Sequence, residues 1–243
     1  MTTAVLLPGN MCDARLWDGA GGAIRRALSD AGLMIADAEA THDDSIGAMA
    51  ARALAGTARP LVPVGFSMGG IVALEMARQA PERIVALVLA DTNCGADLPE
   101  RAAVRPVHQA RVRAGALARI VADELKPAYL AAANRDDAPL KALLLDMAMT
   151  LGAEVFCRQS EALRTRADLG SVLDHWARPL LLLAGAEDAL CPPAWHAAMA
   201  ARAGTATLAI IDGAGHMLPL EQPAAFAAAL AAWLAHTGIG ETP

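Results

Sequence analysis

The sequence predicts an α/β protein, a parallel sheet with helices on both faces. Three observations lead there. The chain has 243 residues, and a length of about 200–250 residues is common for a single α/β domain. Hydrophobic residues make up 55% and charged residues 19%, enough to bury a full core and too apolar for a disordered or fibrous chain. Short aliphatic runs alternate with Ala-rich amphipathic stretches, the pattern of strands buried on both faces and joined by helices.

Each element has its own local reason. Residues 5–7 read as a buried strand and 16–31 as a helix stopped at Gly32. Residues 34–38 are a weaker strand. Ser45 caps a helix over 45–55 that Gly56 ends, since a serine oxygen accepts from a free first-turn amide. Residues 61–64 form a strand, 68–79 a helix closed by Pro81, and 84–90 a strand. The alternation resumes with a strand over 180–184, a helix over 194–203, a strand over 207–211 and a helix over 223–236. In that last helix Phe226, Leu230, Trp233 and Leu234 fall at i, i+4, i+7 and i+8, one apolar face. The tail 238–243 is expected to fray.

The alternation breaks between Asp97 and Trp176. Pro99, Pro106, Pro127 and Pro139 punctuate that stretch, and 140–151 and 153–163 have helical spacing. The expected organisation is a core of 1–96 and 177–243 carrying a helical cap over 97–176.

Composition also excludes partners. A net charge of −6 argues against a phosphate-binding surface and predicts no nucleic-acid partner. No run approaches the roughly 18 apolar residues of a membrane span. The N-terminus lacks the basic region of a signal peptide. Cys12, Cys94, Cys157 and Cys191 show no Cys-x-x-Cys spacing, so no metal or other cofactor is expected and reduced thiols in a cytoplasm are.

One motif carries chemistry. Gly65-Phe66-Ser67-Met68-Gly69 follows a predicted strand and opens a predicted helix, the context a Gly-x-Ser-x-Gly nucleophile elbow requires. The turn is so tight that Gly65 and Gly69 must be small. The Ser67 hydroxyl then stands clear at a helix N-terminus, where developing negative charge is favoured.

The chain resembles the α/β-hydrolase superfamily, in the branch of small capped bacterial serine esterases and cofactor-free perhydrolases. The resemblance rests on Leu6-Leu7-Pro8-Gly9-Asn10, on the elbow with Gly70, on Gly185-Ala186-Glu187-Asp188, and on Gly213-Ala214-Gly215-His216. Arg166-Ala167-Asp168 and Arg178-Pro179 are also family-like. It implies a mainly six-stranded parallel sheet, because the strands usual before the first glycine loop are missing.

A serine nucleophile needs a base, and of the six histidines only His216 follows a strand and a Gly-Ala-Gly loop and comes last in the order Ser, acid, His. His42, His196 and His236 read as solvated, while His108 and His175 are placed to border the site. The base needs a carboxylate. Asp188, past the strand over 180–184, is the expected acid, as in the family, and Asp91, at the end of the strand over 84–90, is its rival. Glu187 is expected to point away. For the oxyanion hole the resemblance implies the amides of Met68 and Asn10, with Met11 as fallback. The family's usual His-Gly-x is here Pro8-Gly9-Asn10, which leaves the loop without its customary tie. Met11, Met147, Met149 and Met217 are expected to line the substrate pocket, and Cys12, Cys94 and Cys191 to border it.

The expected function is metal-free hydrolysis of small-molecule carboxylic esters through an acyl-enzyme. Thioesterase, lactonase, carbon–carbon hydrolase and perhydrolase chemistry would use the same triad. A non-catalytic receptor on this scaffold is the alternative of another kind, and receptors tolerate losing a triad member.

Overall fold

The frame is one six-stranded sheet in a computed structural model that describes residues 1–56, 58–125 and 129–240. Its strands are β1 (Thr3–Leu7), β2 (Met34–Asp37), β3 (Leu61–Phe66), β4 (Leu87–Ala90), β5 (Leu180–Gly185) and β6 (Ala206–Ile211). All pair in parallel, in the order β2-β1-β3-β4-β5-β6. The helices are α1 (Gly19–Asp30), α2 (Ile46–Ala55), α3 (Met68–Gln79), α4 (Pro99–Arg111), α5 (Leu117–Arg119), α6 (Ala138–Arg164), α7 (Gly170–Asp174), α8 (Pro193–Arg202), α9 (Leu218–Glu221) and α10 (Pro223–Thr237). No helix among the described residues is long and apolar enough to cross a membrane.

Successive strand side chains point to opposite faces, and each face builds a core. Val5, Leu7, Leu87, Leu89, Leu180 and Leu182 pack with α2 and α3. Ala4, Leu6, Val62, Val64, Val88 and Leu181 pack with α1 and α10 on the other side. The predicted stripe Phe226, Leu230, Trp233 and Leu234 is buried as α10 lies down there. Met147 and Leu144 of α6 extend this second core.

Between 97 and 164 the described residues form helices and turns, with no strand. Val112, Leu117, Ile120 and Val121 meet Val155, Phe156 and Cys157 of α6 in a third, separate cluster. Leu169, Leu173 and Trp176 pack instead with the core under α3. Pro127 lies outside the described residues, as do 241–243 of the tail.

Three differences from the sequence expectation have local causes. The helix over 16–31 is split: Ala14–Trp17 is a 3-10 turn, and Ala20, Gly21 and Gly22 take positive φ before regular helix begins, because consecutive glycines favour that region. The two helices expected on either side of Gly152 are one element kinked there, at φ 82°. The tail is tied down as far as Ile239, which packs against the α1 side of the core.

Candidate active site

Ser67 sits between β3 and α3 with φ 52° and ψ −115°, a strained backbone for a non-glycine residue. A Cβ at Gly65 would come within 2.6 Å of Gly70 Cα, and one at Gly69 would overlap the Leu7 carbonyl. Gly69 is therefore small because β1 ends against it. Thr92 Oγ1 donates to the Ser67 carbonyl at 2.6 Å and fixes the turn from β4.

His216 lies 149 residues away in sequence with Nε2 at 2.9 Å from Ser67 Oγ and Nδ1 at 2.9 Å from Asp188 Oδ2. The chemistry assigns the proton on Nδ1 to the carboxylate and lets Nε2 accept from the serine hydroxyl. Asp188 Oδ1 accepts from the Leu190 and Cys191 amides at 2.7 and 2.9 Å. Burial alone would raise the Asp188 pKa, but His216, its hydrogen bond and these two amides outweigh it and hold the carboxyl below its ordinary value. The His216 ring packs between Phe66 and Tyr129, with centroids 5.2 and 5.3 Å away, and its backbone amide donates to the Tyr129 carbonyl at 2.6 Å.

Asp91, the rival acid, is fully buried and reaches Gly185, whose amide donates to its Oδ1 at 2.8 Å. Its Oδ2 has no hydrogen-bond partner among the described residues. Burial, then the charge of Asp188, push its pKa well above the ordinary carboxylate range. Glu187 turns away from His216 and accepts from the Ala132 amide at 2.8 Å.

The Met68 amide opens α3 and the Asn10 amide lies on the loop after β1. No described protein group accepts from either, and the first amides of a helix have no partner within it. The Met11 amide is taken: it donates to Gln159 Oε1 at 2.8 Å. Gln159 of α6 also accepts from Asn10 Nδ2 at 3.1 Å and donates to the Ala40 carbonyl at 2.8 Å. A buried glutamine 148 residues on from Met11 thus ties the loop that lacks the family's histidine. Sequence reasoning missed it, since nothing local marks one glutamine on a long helix. It missed Glu221 too, which accepts from the Gly215 and Met217 amides with Oε1 and from the Ala131 amide with Oε2, clamping the His216 loop to the segment above it.

Ser67, Met68 and Asn10 open onto a cavity of about 480 Å³, walled in part by residues of α4, α6 and the turn after β5. The expected methionine lining is corrected. Met147 and Met217 are fully buried in the sheet core, Met11 is buried in the separate cluster, and Met149 is 48% exposed. Residues two apart on a helix point to opposite sides, so Met147 and Met149 do not share a face. α6 shows the cavity Phe156, Ser160 and Leu163 instead. Cys191 lines the cavity; Cys12 and Cys94 pack against the sheet cores.

His196 is a second correction. It is fully buried, accepts from the Thr92 amide at 3.1 Å through Nε2, and burial lowers its pKa to about 4. His108 lines the cavity, while the exposed His175 lies away from it. The donor atoms of Asp188, Cys191 and His216 lie within 4.8 Å of one another. They make a poor metal set: burial pushes the Cys191 thiol up to about 12, and Asp188 and His216 already bond each other.

A family model described as serine aminopeptidase, S33 (Hydrolase_4) matches residues 19–223. The chain is 30% identical over 172 residues to a pimeloyl-[acyl-carrier protein] methyl ester esterase of Aromatoleum aromaticum, covering 67% of this chain and 69% of that one. A thermophilic esterase from Thermogutta terrifontis, solved with malate bound, superposes with a TM-score of 0.88 at 26% identity, covering 98% and 91% of the two chains. An enol-lactonase from Burkholderia xenovorans LB400 shares the fold, with a TM-score of 0.81 at 20% identity over 96% and 91%.

Proposed function

The chain belongs to the α/β-hydrolase superfamily, in the family described as serine aminopeptidase S33, and from that premise we propose that it is a serine esterase acting on small carboxylic esters. The carrying observation is the relay Ser67–His216–Asp188, two contacts of 2.9 Å, with Ser67 lining a cavity of about 480 Å³. His216 Nε2 takes the Ser67 proton as Oγ attacks the ester carbonyl. The Met68 and Asn10 amides hold the oxyanion. His216 returns the proton to the leaving alcohol, and water, activated by the same nitrogen, releases the acyl group. The helical segment from α4 to α6 acts as the cap that shapes the substrate pocket. The methyl ester esterase relative favours ester over lactone chemistry.

The test pairs a fluorophosphonate probe with a panel of p-nitrophenyl esters, thioesters and lactones of increasing acyl length. Labelling at Ser67 and turnover of esters ahead of the other classes are expected. Absence of both would favour a receptor, and lactones turned over fastest would move the chemistry.

Gln159 supplies a sharper check on the oxyanion loop. Gln159→Leu leaves the Met11 amide and the Ala40 carbonyl without their partner, a cost of about 1–3 kcal/mol for each buried group. Loss of a whole oxyanion donor costs about 10²–10³ in kcat, so a displaced Asn10 amide should lower kcat by up to about 10²-fold. Wild-type kcat in a folded Gln159→Leu protein would disconnect this residue from the reaction.

A further inference from the structure

The cavity lining gathers several cations although the protein's net charge is −6. On α4, Arg101, Val104, Arg105 and His108 all line it, at the i, i+3, i+4, i+7 spacing of one helix face. Arg166 joins them from the chain after α6. Only one carboxylate, Asp97, lies within ion-pair distance of these three guanidiniums among the described residues. Arg105 Nε is 2.6 Å from Asp97 Oδ2, and Arg166 Nη1 is 2.9 Å from Oδ1. The Asp97 and Arg166 side chains are 1% and 4% exposed, so this is an interior arrangement. Two acidic residues also line the cavity, and neither lies within ion-pair distance of Arg101, Arg105 or Arg166 among the described residues. Glu124 is held by Arg111 at 2.8 Å and lies 3.3 Å from His108 Nε2, and Glu100 is exposed, with no ion pair among the described residues.

The donors divide into used and unused. Arg166 spends its guanidinium on Asp97 and on the Gly95, Leu163 and Ala96 carbonyls; it is a structural clip. Arg105 uses Nε and Nη2 on Asp97, and no described residue accepts from its Nη1. Arg101 gives only Nη2 to the Leu190 carbonyl at 3.2 Å, and lies 5.9 Å from the Trp195 ring centroid. No described residue accepts from its Nε or Nη1. Two half-buried guanidiniums thus line the cavity that Ser67 opens onto, each with donors from which no described residue accepts. Arg105 shares the single Asp97 carboxylate with Arg166 and Arg101 has no carboxylate partner among the described residues; a partly desolvated cation short of counter-charge is costly, and planar guanidinium donors match a carboxylate's geometry.

We propose that Arg101 and Arg105 form an anion-binding subsite, and that the substrate is an ester carrying a free carboxylate away from the scissile bond, such as a half-ester of a dicarboxylic acid. This rests on the esterase reading and narrows its substrate class. The arginines act in binding, through KM, and take no part in the bond-breaking step.

The experiment compares monomethyl esters of linear dicarboxylic acids of about four to eight carbons with methyl alkanoates of matched length. At the best length the wild-type protein should favour the anionic ester by about tenfold or more in kcat/KM, the scale of charge-assisted hydrogen bonds, mostly through KM. In Arg101→Gln/Arg105→Gln that ratio should fall toward about one. The corresponding free dicarboxylates should inhibit wild-type hydrolysis of p-nitrophenyl acetate competitively, and their diamides should not, a readout that needs no variant to fold. A ratio near unity at every length, an unchanged ratio in the double variant, or equal inhibition by diacids and diamides would each overturn the subsite. Neutral esters would still be cleaved and Ser67 still labelled in those cases. Failure of labelling and of both ester series would instead bring down the esterase reading itself, and the subsite with it.

Discussion

Ser67→Ala should lower kcat on p-nitrophenyl acetate by about 10³-fold or more, with an unchanged melting temperature. The substitution keeps the β-carbon and removes only Oγ, the atom 2.9 Å from His216 Nε2. Alanine meets the φ of 52° on the same terms as serine, so the elbow keeps its shape. The oxyanion amides and the cavity survive, which is why residual turnover above the uncatalysed rate is expected. The fluorophosphonate adduct should vanish altogether. A variant retaining a tenth of wild-type turnover would remove Ser67 from the role of attacking group.

Asp188→Asn should be as damaging, on the order of 10⁴-fold in kcat, while Asp91→Asn should remain the far milder change. An amide at 188 no longer fixes the His216 proton on Nδ1, so Nε2 is not reliably left to accept from Ser67. Stability gives an independent readout of opposite sign at the two positions. Asp188 has a lowered pKa, so its contribution is present above the unfolded value of about 3.9 and is lost as pH falls through the folded value. Asp188→Asn should therefore cost more stability at pH 7 than at pH 3. Asp91 has a raised pKa; it holds a proton that the unfolded chain releases above about pH 3.9, so wild-type stability falls as pH rises toward the folded value. Asp91→Asn removes that slope, and urea denaturation from pH 4 to pH 8 should show the variant gaining on wild type with pH. A severe kcat loss in Asp91→Asn with a mild one in Asp188→Asn would exchange the two roles.

What the sequence alone determined is what local physics enforces. Continuous short aliphatic runs alternating with helical stretches gave the strands and their parallel packing, and a period-3.6 stripe gave the α10 face, because strands buried on both faces must be apolar throughout and a helix buries one side. The glycines around Ser67 announced the elbow, because only a steric demand explains them there. His216 was legible from its glycine loop and its place after a strand. The tertiary structure alone decided what depends on which element packs against which. Asn10 and Gln159 are 149 positions apart, and no local pattern predicts that a cap glutamine stands where the family's histidine is missing. Met147 and Phe156 are equally apolar on one helix; the way α6 lies across the sheet sends the first into the core and the second to the cavity. His196 was unreadable because solvent and a Thr92 amide look alike from sequence. Asp91 and Asp188 both follow strands; only the tertiary structure brings His216 to 2.9 Å from Asp188 and buries Asp91 fully against the Gly185 amide.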